Sequence, residues 1–345
     1  MPAKDSSTMR LEVDNLHVSF TTHGGEVKAV RGVSFKLGQG ETLAIVGESG
    51  CGKSVTARSV MRLLPEQTSR ITRGSIRFEG KELTKLTEKQ LRELRGAKIA
   101  MIFQDAMTAL NPTISIGEQI MEGVIRHRKL PRAEARKLAV EMLGLVGISH
   151  PEMRMKQYLH EFSGGMRQRM MIAIAAVCNP SILIADEPTT ALDVTIQAQI
   201  IELFQMLQKK TGVSIIIITH DLGVVAKIAD RVAVMYAGQI VESGTVHELF
   251  HNPQHPYTKG LLASMPRLDT DRTQPLTPIP GTPPDLFAPP RGCAFTARCP
   301  YAMEVCELHP PAQTNISHGH SAACWLQDPR ARKLFPPTGD IKKAL

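Results

Sequence analysis

The sequence predicts an α/β fold: buried strands alternating with helices, an inserted helical block, and a C-terminal extension rich in proline and cysteine. Three observations carry this. A glycine-rich segment, Gly47-Glu48-Ser49-Gly50-Cys51-Gly52-Lys53-Ser54, follows an apolar run and precedes a helical pattern. A second apolar run ends in the paired carboxylates Asp186-Glu187. Between the two lies a long stretch with apolar spacings of three and four.

Residues Arg10 to Phe20 alternate apolar and polar and read as an edge strand. A glycine-containing turn leads to a second strand, Val27 to Leu37. Glu41 to Val46 is short, apolar and bounded by glycine, the pattern of a buried strand. The segment after it fits G-x-x-x-x-G-K-S/T, the phosphate-binding loop. Gly47, Gly50 and Gly52 let the backbone curl, so that the N–H groups of the loop, from Glu48 and Ser49 through Cys51 to Ser54, make an anion nest. Lys53 then reaches the β- and γ-phosphates, and the Ser54 hydroxyl meets Mg²⁺. A helix from Ser54 and Val55 to Leu64, ending before Pro65, turns its positive end to the same anion.

Gly74 to Phe78 reads as a short strand, Glu88 to Arg95 as a helix, and Lys98 to Phe103 as a strand running into Gln104. From Ile116 to about Val177 the pattern is helical, and Ser163 opens one helix with Gly164 and Gly165 at its mouth. Ser181–Ala185, Val213–Thr219 and Arg231–Tyr236 read as strands, and Val194–Lys210 as a helix. Together these indicate an α/β nucleotide-binding domain with a helical subdomain. Composition shifts after about Pro266. Pro275, Pro278, Pro280, Pro283, Pro284, Pro289 and Pro290 make an extended connector.

The chain has 345 residues and a formal net charge of +8. That length suggests about two domains. A basic balance suits nucleic acid, but equally the anionic face of a membrane. No apolar run approaches the roughly 20 residues needed to span a bilayer, and the first residues lack the apolar core of a secretory signal. The expectation is a soluble or peripheral protein of the cytosol. Six cysteines do not argue for a disulfide scaffold there.

The strand Ile182 to Ala185 places Asp186 at the carboxyl edge of the sheet, where Mg²⁺ would sit. Glu187 follows and is placed to polarise an attacking water. Adjacent carboxylates after a strand are common; paired with the phosphate loop they mark a nucleotide site.

With Phe162-Ser163-Gly164-Gly165-Met166 upstream, the chain resembles the ATPase subunit of an ABC transporter. The resemblance covers roughly residues 10–266, with the helical subdomain at about 105–178 and the extension at 267–345. It implies a RecA-like core, an antiparallel β subdomain and an inserted α-helical subdomain. Ser163, Gly164, Gly165 and Met166 resemble the signature segment that faces the γ-phosphate held by the other cassette of a dimer. The commoner signature is L-S-G-G-Q; Phe162 and Met166 take the outer positions here, so the ribose contacts of the glutamine are absent. Gln104 corresponds to the glutamine that contacts Mg²⁺ and senses the membrane subunit. Ala191-Leu192-Asp193 resembles the loop linking the two sites, His220 the switch histidine on the γ-phosphate, and Phe20 the aromatic ring against adenine.

The resemblance implies ATP hydrolysis, with Lys53 holding charge, Ser54, Asp186 and Gln104 organising Mg²⁺, Glu187 activating water and His220 orienting it. The turn at Asn111-Pro112 and the segment Asn252 to Thr258 resemble the peptide-import subfamily. The implied partners are a second, paralogous ATPase, two transmembrane permeases and an extracytoplasmic solute-binding protein, with no nucleic acid. The implied location is the cytoplasmic face of the inner membrane. Import of nickel, glutathione or another small solute is the rival within transport. A soluble nucleic-acid-linked ATPase is the rival outside it, and a redox-sensing ATPase using the extension is another.

Cys293, Cys299, Cys306 and Cys324 follow the spacing C-x5-C-x6-C-x17-C. Zinc sites more often use paired knuckles, and four thiolates suit either zinc or an iron–sulfur cluster. The extension resembles that of di- and oligopeptide importer ATPases, which implies a 4Fe-4S cluster with a structural role. His309, His318 and His320 read as solvated loop residues, Cys51 as a small filler and Cys178 as core.

Overall fold

The computed structural model describes residues 9–190, 192–265 and 278–334. Ala191, the boundary at 266–267 and the last residues of the extension lie outside them. Twelve strands occur among the described residues: β1 (Met9–Thr22), β2 (Gly25–Gly38), β3 (Thr42–Val46), β4 (Ser69–Phe78), β5 (Lys81–Glu82), β6 (Ile99–Ile102), β7 (Ile182–Asp186), β8 (Ser214–Thr219), β9 (Arg231–Tyr236), β10 (Gln239–Thr245), β11 (Gln313–Ser317) and β12 (His320–Ala323). They form a four-stranded sheet, β2-β1-β4-β5, and an eight-stranded sheet, β11-β12-β10-β9-β3-β8-β7-β6.

The centre of the large sheet is parallel, because β3, β6, β7 and β8 are apolar and buried throughout. Alternate side chains leave its two faces. Ala44, Leu183, Ile215 and Ile217 enter a core shared with the helices. Leu43, Ile45, Ile184, Ile216 and Ile218 enter a second core under the antiparallel sheet. The inserted helical block packs on the first core through Ile116–Arg128, Arg132–Leu145 and Gly164–Ala176.

Three expectations change. β1 is not an edge strand: it lies between β2 and β4. Its buried residues shift from odd (Leu11, Val13) to even (Leu16, Val18) positions. A bulge causes the shift: the pairing slips between Val13 and Leu16, and Asn15 takes φ 47°. The helix after the phosphate loop spans Lys53–Val60 and stops short of Leu64. Arg62 adopts φ 51°, so the chain turns well before Pro65. β12, in the extension, pairs antiparallel with β10 and lengthens the main sheet. His320 is correspondingly not a solvated loop residue; it is buried and hydrogen-bonds Glu242 at 2.8 Å.

Candidate functional site

β3, β8, β7 and β6 are adjacent and parallel, so the segments leaving their carboxyl ends gather at one edge. Those segments hold the phosphate loop, Thr219-His220, Asp186-Glu187 and Gln104 respectively.

The loop of residues 47–52 is packed against its surroundings. A side chain on Gly47 would put a Cβ 2.1 Å from the Met235 carbonyl oxygen, and one on Gly52 would lie 2.5 Å from that of Ala29. Gly52 at φ 99° also turns the chain into the Lys53–Val60 helix. Lys53 is buried, and its Nζ donates to the carbonyls of Gly47 at 2.7 Å and Glu48 at 2.9 Å. Cys51 is buried beneath it, as a filler should be, and burial raises its thiol pKa. Glu48 departs from the expected nest: its N–H already donates to the Tyr257 hydroxyl at 2.8 Å.

Ser54 and Asp186 meet as the sequence reading requires. The Ser54 hydroxyl donates to Asp186 Oδ1 at 2.7 Å. Asp186 is fully buried, and its Oδ2 has no hydrogen-bond partner among the described residues. Burial raises its carboxyl pKa above the ordinary value, against the opposing pull of the Ser54 hydroxyl. A buried carboxylate oxygen without a partner beside a serine hydroxyl is a donor set that fits Mg²⁺.

Glu187 is a junction. Its Oε2 accepts from Gln104 Nε2 at 3.1 Å and from the Thr190 hydroxyl at 3.0 Å. Its Oε1 lies 3.6 Å from His220 Nδ1. The residue holds φ 49°, with its N–H donating to the Ile218 carbonyl. The geometry thus joins Glu187, Gln104 and His220 in one cluster and Lys53, Ser54 and Asp186 in another, on neighbouring strand ends.

The Ser163–Met166 segment is separate. Ser163 caps the Gly164–Ala176 helix in extended conformation, and its hydroxyl makes no capping hydrogen bond. Among the described residues no hydrogen bond joins this segment to the phosphate loop. Asp193 caps the next helix, Val194–Thr211, through Ile196 N–H at 2.9 Å. Phe20 is half-buried on β1, paired with Val27 and Ser69.

Cys293, Cys299, Cys306 and Cys324 line one cavity in the extension, together with His255. Burial pushes the Cys299 thiol up to about 11 and the Cys324 thiol up to about 12. Among the described residues no group of three or more His, Cys, Asp or Glu is gathered as a single-ion site. His255 is buried and kept neutral, its pKa lowered by burial to about 3. Its Nδ1 accepts the Tyr257 N–H at 3.0 Å, which leaves the proton on Nε2, and Nε2 has no partner.

Sequence reasoning missed Arg298. It is buried in the extension, yet both its terminal nitrogens reach Glu48, at 2.6 and 2.9 Å. Its guanidinium lies over Tyr236 and Phe295, which pack with Tyr257 at ring-centroid distances of 4.6 to 5.4 Å. The signal available was a lone arginine before Cys299, which spacing alone cannot connect to a residue 250 positions away.

A family profile described as ABC transporter matches residues 30–190, and one described as oligopeptide/dipeptide transporter, C-terminal region, matches residues 241–306. The chain is 63% identical to the dipeptide transport ATP-binding protein DppD of Bacillus subtilis, over 96% of this chain and 98% of that protein. It is 51% identical to the oligopeptide transport ATP-binding protein OppD of Salmonella typhimurium, over 94% and 95%. Among solved structures it resembles the dimeric ATP-binding cassette MJ0796 in a post-hydrolysis state bound to ADP and phosphate, with TM-score 0.62, 25% identity and coverage of 68% of this chain and 98% of that one. It also resembles cbiO1 from Clostridium perfringens, with TM-score 0.61, 31% identity and coverage of 71% and 92%.

Proposed function

The chain belongs to the ATP-binding subunits of ABC transporters, in their dipeptide and oligopeptide branch, and from that premise we propose that it hydrolyses ATP to power import of short peptides across a membrane. The observation that carries this is the buried Asp186 carboxylate, one oxygen on Ser54 and the other without a partner, beside the loop that holds Lys53.

Lys53 turns its remaining N–H to the β- and γ-phosphates, and the remaining loop N–H groups share that charge. Ser54, Asp186 and Gln104 would hold Mg²⁺. When bound, Mg²⁺ neutralises charge on the phosphate oxygens. Glu187 accepts a proton from the attacking water, and His220 orients that water. Gln104 ties Glu187 to the segment Asp105–Ser115, where Met107 and Ile114 are exposed. We assign that apolar surface to the membrane permeases. Ser163, Gly164 and Gly165 serve the nucleotide of a second, paralogous ATPase chain, and Asp193 and Phe20 the dimer contact and the adenine. The described helices include none long and apolar enough to cross a membrane; the reading is a peripheral subunit on the cytoplasmic face, served by an extracytoplasmic binding protein.

In the extension we assign a 4Fe-4S cluster to Cys293, Cys299, Cys306 and Cys324. Four thiols around one cavity, with a partnerless buried His255 N–H on its wall, support this reading. When bound, such a cluster staples the segments that carry the four thiols.

Affinity purification from membranes followed by reconstitution into vesicles tests the proposal. Permeases and a second ATPase should accompany the chain, and dipeptides should accumulate only with ATP. A chain that purifies without integral membrane partners, or vesicles indifferent to peptide, would count against it.

A further inference from the structure

We infer that Arg298 is a positioning residue of the ATP site, through which the extension anchors and neutralises Glu48 of the phosphate loop. The inference rests on the reading of residues 47–54 as the nucleotide loop.

Every polar group of Glu48 is engaged. The N–H donates to Tyr257, the carbonyl accepts from Lys53, and the carboxylate takes both prongs of Arg298. Lys53 has a third N–H to offer a phosphate, and the contacts on Glu48 hold the carbonyl on which it rests. Arg298 is itself braced by the carbonyls of Pro280 and Ile279 and by the Tyr236 hydroxyl, and it lies over the rings of Tyr236 and Phe295. A guanidinium so held is a fixed charge.

The charge matters as much as the grip. A carboxylate in a loop built for phosphates opposes a polyanionic ligand, most strongly where water is scarce. Arg298 cancels it. Both prongs are committed to Glu48, so Arg298 acts on nucleotide only through that residue. The arrangement also brings the extension into the site, since Arg298 directly precedes Cys299 on the cavity wall. Coupling between sites is reciprocal. Nucleotide on the loop must therefore make the 293–306 segment harder to open.

The test is binding of a fluorescent ATP analogue to the full chain, prepared anaerobically, as wild type, Arg298→Gln, Glu48→Gln and the double variant. Arg298→Gln, which leaves an unpaired carboxylate, should weaken binding about tenfold or more. The double variant should recover to within about threefold of wild type. A role confined to clasping the extension predicts no recovery, and that result overturns the inference, as does wild-type affinity in Arg298→Gln. If Arg298→Gln does not fold, Arg298→Lys decides, since it keeps the charge that cancels Glu48 and loses the two-pronged grip: affinity within about threefold of wild type supports the inference, and a larger loss overturns it. Hydrogen exchange at residues 293–306 should slow on adding nucleotide in wild type and not in the double variant; equal slowing in both overturns the route through this pair. Absence of binding in wild type would instead overturn the nucleotide-loop reading itself.

Discussion

Gln104 donates its side-chain amide to Glu187 at 3.1 Å, joining the end of β6 to the end of β7 across the candidate site. The contact gives the carboxylate a fixed direction before any nucleotide is bound. Glu187→Gln keeps the shape and removes the base. Nucleotide affinity should stay within about threefold, while phosphate release should fall by about 100-fold or more. Equilibrium binding and single-turnover hydrolysis check this; turnover near the wild-type rate would remove Glu187 from its role.

Gln104→Ala tests the other partner. Glu187 retains Thr190, so basal hydrolysis should fall less, by about tenfold. Stimulation of hydrolysis by peptide-loaded binding protein in vesicles should fall further than the basal rate. Full stimulation in the variant would separate Gln104 from the membrane subunits.

Asp186→Asn should stabilise the nucleotide-free chain while abolishing Mg²⁺-dependent nucleotide binding. The substitution removes a buried charge with one unpaired oxygen, a gain of about 1 kcal/mol of the kind seen when a strained site is relieved. The sign with pH follows from the raised native pKa. The protonated carboxyl contributes its stability fully below the ordinary 3.8, and that contribution is lost as pH rises through the native value. The advantage of asparagine should therefore be complete above the native value, shrink as pH falls through it, and level off below 3.8. Urea unfolding across pH measures it.

Cys299→Ser should lose bound metal and raise the protease sensitivity of the extension without unfolding the main sheet. Iron and sulfide analysis of the anaerobically purified wild type decides the identity of the group; zinc without sulfide would replace the cluster reading. His255→Phe removes the N–H on the cavity wall. The midpoint potential of a cluster there should become more negative, since one donor to its sulfurs is lost.

His320→Ala should destabilise the chain by about 1–3 kcal/mol, because Glu242 is fully buried and loses one of its three donors. Denaturant unfolding measures this, and limited proteolysis should show the extension opening first.

The main sheet was legible because its strands are short buried runs and its chemistry sits directly after them: Ser54, Gln104, Asp186, Glu187 and His220 all fall at the expected edge. β1 was misplaced because alternation reports one buried face and says nothing about neighbours on either side. The helix end was misplaced because the turn at Arg62 carries no glycine or proline. What the sequence withheld was long-range pairing. Nothing in local spacing connects Arg298 to Glu48, His320 to Glu242, or His255 to the cysteine cavity. Arg298 and His320 are polar side chains satisfied by a partner far along the chain, and His255 meets the cavity only through the fold.

The pairing of β12 with β10 constrains how the polypeptide emerges from the ribosome. Glu242 is synthesised 78 residues before His320, so the growing chain leaves the β10 backbone edge unpaired, and the carboxylate one donor short, until β12 arrives. Chaperone engagement should concentrate on nascent chains halted within that window, and chains truncated before β12 should aggregate edge to edge.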